Sequence, residues 1–191
     1  VNKNGFNDKG RMSITWINEN GNIRRNTPMK ESTLSSETNG FWYLQPIRTQ
    51  KELITEPYLY SYTEGQEAKL VVSAVVPLIK NGKSIGIIGV DLFLKDLNDL
   101  VKNVKLYDTG YINVVSNNGY GIATPNKDNI GKNIKELGIL PDEIDAIANG
   151  KLHITKSKNY KGIESFKIFT PIFIGKDTRP WSLITIVPIN E

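Results

Sequence analysis

The chain has 191 residues, a formal net charge of +4 and no cysteine. A hydrophobic fraction of 39% and a charged fraction of 23% are those of an ordinary folded protein, which excludes intrinsic disorder. Lys and Arg are scattered rather than striped, which argues against a nucleic-acid partner; the lack of thiols excludes a disulfide framework; and no apolar run approaches the ~20 residues of a membrane span.

Residues 1–13 are polar and Gly-containing, which predicts a frayed start. Because the first residue is Val1 and no signal peptide is present, the sequence reads as a piece of a longer chain, with any membrane segments outside it. Strands are predicted at Ser13–Ile17 and Asn22–Arg25, around an Asn-Gly turn at Gly21. Thr27–Thr63 holds Pro28, Pro46 and Pro57 with little periodicity, and reads as a long irregular connection of the kind that is usually functional. Strands Lys69–Val76 and Ser84–Leu92 flank Asn81-Gly82, a strong hairpin signal because both residues accept positive φ. Leu92, Leu94, Leu97, Leu100, Val101 and Val104 then mark a helical face over Asp91–Val104.

The second half reads as strands Tyr111–Ser116 and Gly121–Thr124, helix Pro141–Asn149, and strands His153–Ser157, Glu164–Ile174 and Trp181–Val187. The helix carries Pro141 and two acids in its first turn and stops at Gly150. The turn at Gly119 repeats the turn at Gly21, and the Pro-bearing strand around Pro171 repeats the one around Pro77, at a spacing of about 95 residues. That period suits two small tandem domains, 1–100 and 101–191. Antiparallel sheets flanked by short helices make the fold class α+β.

Catalytic signatures are missing. His153 stands alone in a strand and reads as structural, and there is no nucleophile elbow, Walker loop or dinucleotide glycine pattern, so no cofactor and no metal are expected. Two features could carry chemistry. Asp91 ends the apolar run Ile85–Asp91, where a carboxylate is costly unless paired or solvated. From the residues alone, capping of the following helix is favoured over facing a cavity that awaits a cation. Phe41, Trp42, Tyr43, Tyr58, Tyr60 and Tyr62 crowd the irregular connection, equally as a core cluster or as an aromatic pocket for a small polar ligand.

Trp42-Tyr43, Glu56-Pro57-Tyr58 and Ile85–Leu92 resemble the double Cache (dCache) sensor domain. Gly110–Gly119, Ala123-Thr124-Pro125, Ile130–Asn133 and Trp181–Pro188 are similar to the second unit of that family, so the resemblance spans residues 12–190. It implies two PAS-like units, a membrane-distal one holding the ligand and a membrane-proximal one, hung on a long N-terminal helix that has no counterpart in this sequence. It further implies the extracytoplasmic part of a bacterial or archaeal transmembrane receptor, whether chemoreceptor, sensor histidine kinase or cyclic-dinucleotide enzyme. The membrane would be reached only through segments outside the chain, with a homodimer as the assembly of the full-length receptor.

Position by position, the resemblance carries ligand binding onto Trp42, Tyr43, Tyr58 and Asp91, and the set is completed by Tyr60 and Ser73. Gly40 stands where amino-acid-binding members carry an Arg for the ligand carboxylate, and Tyr60 where some carry a second acid. Losing that bidentate partner disfavours standard amino-acid recognition, and the retained Asp91 favours an amine or amino-acid-like compound. The competing readings are an interaction module of a cell-surface protein with no small ligand and, third, an enzyme needing a converging carboxylate pair.

Overall fold

The computed structural model describes every residue except 1–4, 20, 64 and 138. The chain divides into two compact units: Val1–Leu53 with Tyr62–Gln66 and Val75–Ile88, and Ile54–Ser61 with Glu67–Ala74 and Gly89–Glu191. The secondary structure is β1 (Trp16–Glu19), β2 (Asn22–Arg25), α1 (Glu31–Leu34), α2 (Phe41–Thr49), β3 (Leu53–Ile54), β4 (Tyr58–Tyr60), β5 (Lys69–Lys80), β6 (Lys83–Phe93), α3 (Leu94–Val101), β7 (Tyr111–Val115), β8 (Gly121–Ala123), α4 (Pro141–Asn149), β9 (His153–Lys158), β10 (Glu164–Ile172) and β11 (Trp181–Pro188). Sheets with short flanking helices give the α+β class that the sequence implies.

In the first unit the start of the chain is tied down rather than frayed over the described residues 5–13. Buried Asn7 accepts from the Lys9 and Arg11 amides and donates to Glu31, which replaces water with internal partners. The first four residues of that expectation lie outside the described ones. β1 and β2 pair antiparallel, with Trp16 opposite Arg25 and Asn18 opposite Ile23. The connection expected to be irregular contains two helices, α1 and α2. Pro46 lies inside α2 and is buried, so its packing outweighs the one backbone bond it forfeits. α2 ends where Gln50 turns left-handed at φ 55. The hairpin between β5 and β6 is as read, with Asn81 at φ 52 and Gly82 at φ 72.

β5 is the centre of a four-stranded sheet, pairing with β3, β4 and β6. In the second unit β4 lies antiparallel to it, with Tyr58 opposite Val71 and Tyr60 opposite Lys69. A five-stranded antiparallel sheet in the order β8-β7-β11-β10-β9 completes that unit. Helix α4 packs on it through Ala146 and Ile147 against Tyr111, Val115, Phe169, Ile184 and Ile186. The helix has the boundaries read from its caps: Glu143 reaches back to the Leu140 amide, and Gly150 closes the end at φ 59. A second core joins Val72, Leu94, Ile122 and Trp181.

The internal repeat holds only in part. β7 pairs with β11 as well as β8 and so belongs to the five-stranded sheet, whereas β1 and β2 form a two-stranded sheet of their own. Similar turns in sequence thus close hairpins with different surroundings. His153, expected to stand without a carboxylate nearby, has one: its ring lies 5.8 Å from Phe169 and its Nε2 is 3.2 Å from Asp142.

Candidate ligand-binding site

The pairing of β4 with β5 puts Tyr58 beside Val71, and strand alternation puts Ser73 on the same face as Val71. The Tyr58 hydroxyl lies 2.7 Å from Ser73 Oγ, and Ser73 Oγ donates to Asp91 Oδ1 at 2.5 Å. A serine hydroxyl has one proton, so its donation to the carboxylate makes Tyr58 the donor to serine. The result is a directed chain, Tyr58 to Ser73 to Asp91. Ser73 is only 1% exposed and is held by reciprocal bonds, its amide to Thr55 Oγ1 at 2.9 Å and the Thr55 amide to its carbonyl at 3.0 Å.

The Tyr58 and Tyr60 rings meet edge-on at 6.0 Å. Burial raises the pKa of both phenols, and the Asp91 charge adds to the effect; Tyr60 is pushed up to about 12. Both hydroxyls therefore stay protonated at neutral pH. Lys69 Nζ stacks 4.9 Å from the centre of the Phe93 ring. This arrangement of one carboxylate, two phenols and a serine hydroxyl presents acceptors and aromatic faces suited to a cation.

Asp91 does not cap α3. The strand runs through it to Phe93, the N-cap residue is Phe93, and no side chain caps that helix. The apolar period that begins at Leu92 marks the residues around the strand-to-helix junction, but the Ser73 bond keeps Asp91 in the strand. The expected helix is correspondingly shorter, Leu94–Val101.

Trp42 and Tyr43 lie in the other unit, on α2, with their rings 6.3 Å apart. The Trp42 indole donates to Asn39 O at 3.0 Å, and Tyr43 OH accepts from Arg11 at 2.7 Å. The six expected residues thus form two groups, Tyr58, Tyr60, Ser73 and Asp91 in one unit and Trp42 and Tyr43 in the other. Arg11 and Thr55 hold these groups in place and were not singled out from sequence. Arg11 sits in a segment whose polarity masks it, and Thr55 carries no pattern at all. Gly40 has a steric reason: a Cβ there would lie 2.3 Å from Thr33 O and 2.7 Å from Leu34 O. The position expected to carry an arginine admits no side chain without moving backbone.

Among the described residues no group of three or more His, Cys, Asp and Glu could hold a metal, and no helix is long and apolar enough to cross a membrane. The sequence profile of the double Cache family, described as a Cache domain, matches residues 2–191. The chain belongs to that family. It is 28% identical over 196 residues to the methyl-accepting chemotaxis protein TlpQ of Pseudomonas aeruginosa, covering 96% of this chain and 27% of TlpQ. Among solved structures it resembles the extracellular domain of a protein designated as the histidine kinase mmHK1S-Z3, with a TM-score of 0.79 and 29% identity, over 99% of this chain and 66% of that one. It shares its fold, at a TM-score of 0.60 and 19% identity, with the ligand-binding domain of the P. aeruginosa chemoreceptor PctB in complex with L-Gln, covering 93% of this chain and 67% of that one. The Cache fold has two PAS-like units, and this chain is a sensor domain of that family. It spans about a quarter of the length of TlpQ.

Proposed function

We propose that this domain reads a small amine or amino-acid-like molecule, without catalysis of its own, for a receptor whose output is chemotactic or kinase signalling. In this reading residues 1–100 are the membrane-distal unit and 101–191 the membrane-proximal one. Asp91 takes the ligand cation, and Tyr58, Tyr60 and Ser73 orient it. The observation that carries the proposal is the Tyr58–Ser73–Asp91 chain, in which a buried serine aligns a carboxylate beside two protonated phenols. The L-Gln complex of PctB, a fold relative, supports an amino-acid-like ligand, whereas Gly40 removes the place for a carboxylate-gripping arginine and tilts the choice toward amines.

The test is a thermal-shift screen of amines, amino acids and organic acids. A ligand at a hundredfold excess over its dissociation constant stabilises the folded state by about 2.7 kcal/mol. The proposal requires a shift with cationic ligands that Asp91→Asn removes. A shift with carboxylates alone would refute the amine reading, and no shift with any class would favour the module without a small ligand. That second reading draws support from Trp42 and Tyr43, whose polar atoms bond Asn39 and Arg11 within their own unit.

A further inference from the structure

An asparagine followed by glycine can be attacked by the next backbone nitrogen, because glycine has no Cβ to hinder the approach. Four such pairs lie wholly within the described residues: Asn39-Gly40, Asn81-Gly82, Asn118-Gly119 and Asn149-Gly150. In three of them the attacking nitrogen is committed. Gly40 N–H donates to Ser36 O at 2.8 Å, Gly119 N–H to Ser116 O at 2.9 Å and Gly150 N–H to Ile147 O at 3.2 Å. The Asn149 side chain is held as well, donating to Asp145 O at 3.1 Å and Oδ1 at 2.6 Å. Asn81-Gly82 differs. Both residues are exposed at the tip of the β5–β6 hairpin, and nothing lies within 4 Å of the place a Gly82 Cβ would take. Among the described residues neither the Asn81 side chain nor the Gly82 N–H has a hydrogen-bond partner. What ties the tip to the rest of its unit is Gln50, whose Nε2 donates to Gly82 O at 2.9 Å.

We infer that Asn81 is a site of spontaneous covalent modification, deamidation through a succinimide, and that Gln50 restrains it. The Gly82 amide nitrogen gives up its proton and bonds to Asn81 Cγ, and the side-chain nitrogen leaves with a proton as ammonia. Solvent water then opens the ring. Breaking the new Cγ–N bond gives aspartate, and breaking the original backbone C–N bond gives isoaspartate; nothing is oxidised or reduced. Either product lowers the formal net charge from +4 to +3 and places a carboxylate between Lys80 and Lys83. Aspartate tolerates the left-handed φ of 52 that Asn81 holds, so that product keeps the turn. Isoaspartate lengthens the backbone of a two-residue loop whose length sets how β5 and β6 pair. The site stands apart from Asp91 and does not depend on the amine reading.

The test is timed peptide mapping by mass spectrometry of the 191-residue chain at mildly alkaline pH. Each rate is taken relative to that of the same residue in the urea-unfolded chain, which removes the intrinsic reactivity of the dipeptide. On that scale residue 81 converts about tenfold or more ahead of 39, 118 and 149, each of which must first open a hydrogen bond. Gln50→Asn keeps a residue that tolerates the left-handed φ of 55 at that position but is a methylene too short to reach Gly82 O, and it speeds residue 81 about two- to fivefold. A relative rate at 81 no higher than at the other three overturns the modification site, and an unchanged rate in Gln50→Asn overturns the restraint.

Discussion

Replacing Ser73 by alanine tests the polar chain at its middle link. The change removes a donor to a carboxylate and an acceptor for a phenol, and takes away little volume. A hydrogen bond to a charged group contributes a net ~1.5–3 kcal/mol, and a neutral one about 1 kcal/mol. Asp91 and Tyr58 are only partly buried, so water recovers some of that loss. The expected cost is about 2 kcal/mol, which lowers Tm by about 4–8 °C for a chain of this length. The assay is a denaturant melt of Ser73→Ala, Asp91→Ala and the double variant. Side chains bonded at 2.5 Å should show a coupling of about 1 kcal/mol or more. If the two single changes add to within about 0.3 kcal/mol, the serine does not hold the carboxylate and the site as described is wrong.

Glu31 is held at about 2, below the usual carboxylate range, by hydrogen bonds from Arg11 and then Asn7. A depressed carboxyl stabilises the fold above its unfolded pKa of about 4.5, and that contribution fades as pH falls toward 2. Arg11→Gln should therefore flatten the acid limb of the stability curve, by no more than about 1 kcal/mol because the pair lies near the surface. Tyr60, raised to about 12, contributes stability that is complete below about pH 10 and is lost as pH rises toward 12. Alkaline absorbance titration should show late ionisation that Tyr60→Phe removes. Gly40→Ala should cost about 2–3 kcal/mol, measured by urea melting, because the new Cβ meets backbone oxygens that no rotamer can move. Glu143 is 0% exposed and accepts from Ser157 at 2.6 Å and from Lys167 at 3.2 Å, so Glu143→Ala should cost about 3–5 kcal/mol by leaving an ammonium that is itself 12% exposed. Adding Lys167→Met should recover much of that loss.

Local signals carried the features that one segment determines by itself. The caps of α4 and the Asn81-Gly82 hairpin are written in consecutive residues, and both lie where those residues put them. Helix α2 departs from the irregular connection expected over 27–63 because Pro46 reads as a breaker, whereas its place inside the helix is supported by burial, which local sequence does not reveal. Asp91 was misread for the same kind of reason. Its role depends on Ser73, eighteen residues away, and nothing in the local pattern distinguishes a strand-end acid from a helix cap.

The position of the polar chain also bears on how occupancy could be felt. Ser73 faces Asp91, and alternation turns its neighbour Val72 to the opposite face, where it packs with Leu94, Ile122 and Trp181. Asp91 precedes by three residues the buried Leu94 that begins α3. Further along that helix, Asn98 accepts from the Thr124 amide at 2.8 Å and so ties α3 to the end of β8. A ligand that pulls on Asp91 or displaces its bond to Ser73 therefore acts on two strands whose next core residues are Val72 and Leu94, partners in one cluster. Close-packed clusters shift between discrete arrangements rather than deforming continuously, so a small displacement there can select one packing of α3 over another. The size of that response is bounded by the difference in ligand affinity between the two packings. A rigid strand carrying the carboxylate passes on more of that difference than a loop, which would absorb it.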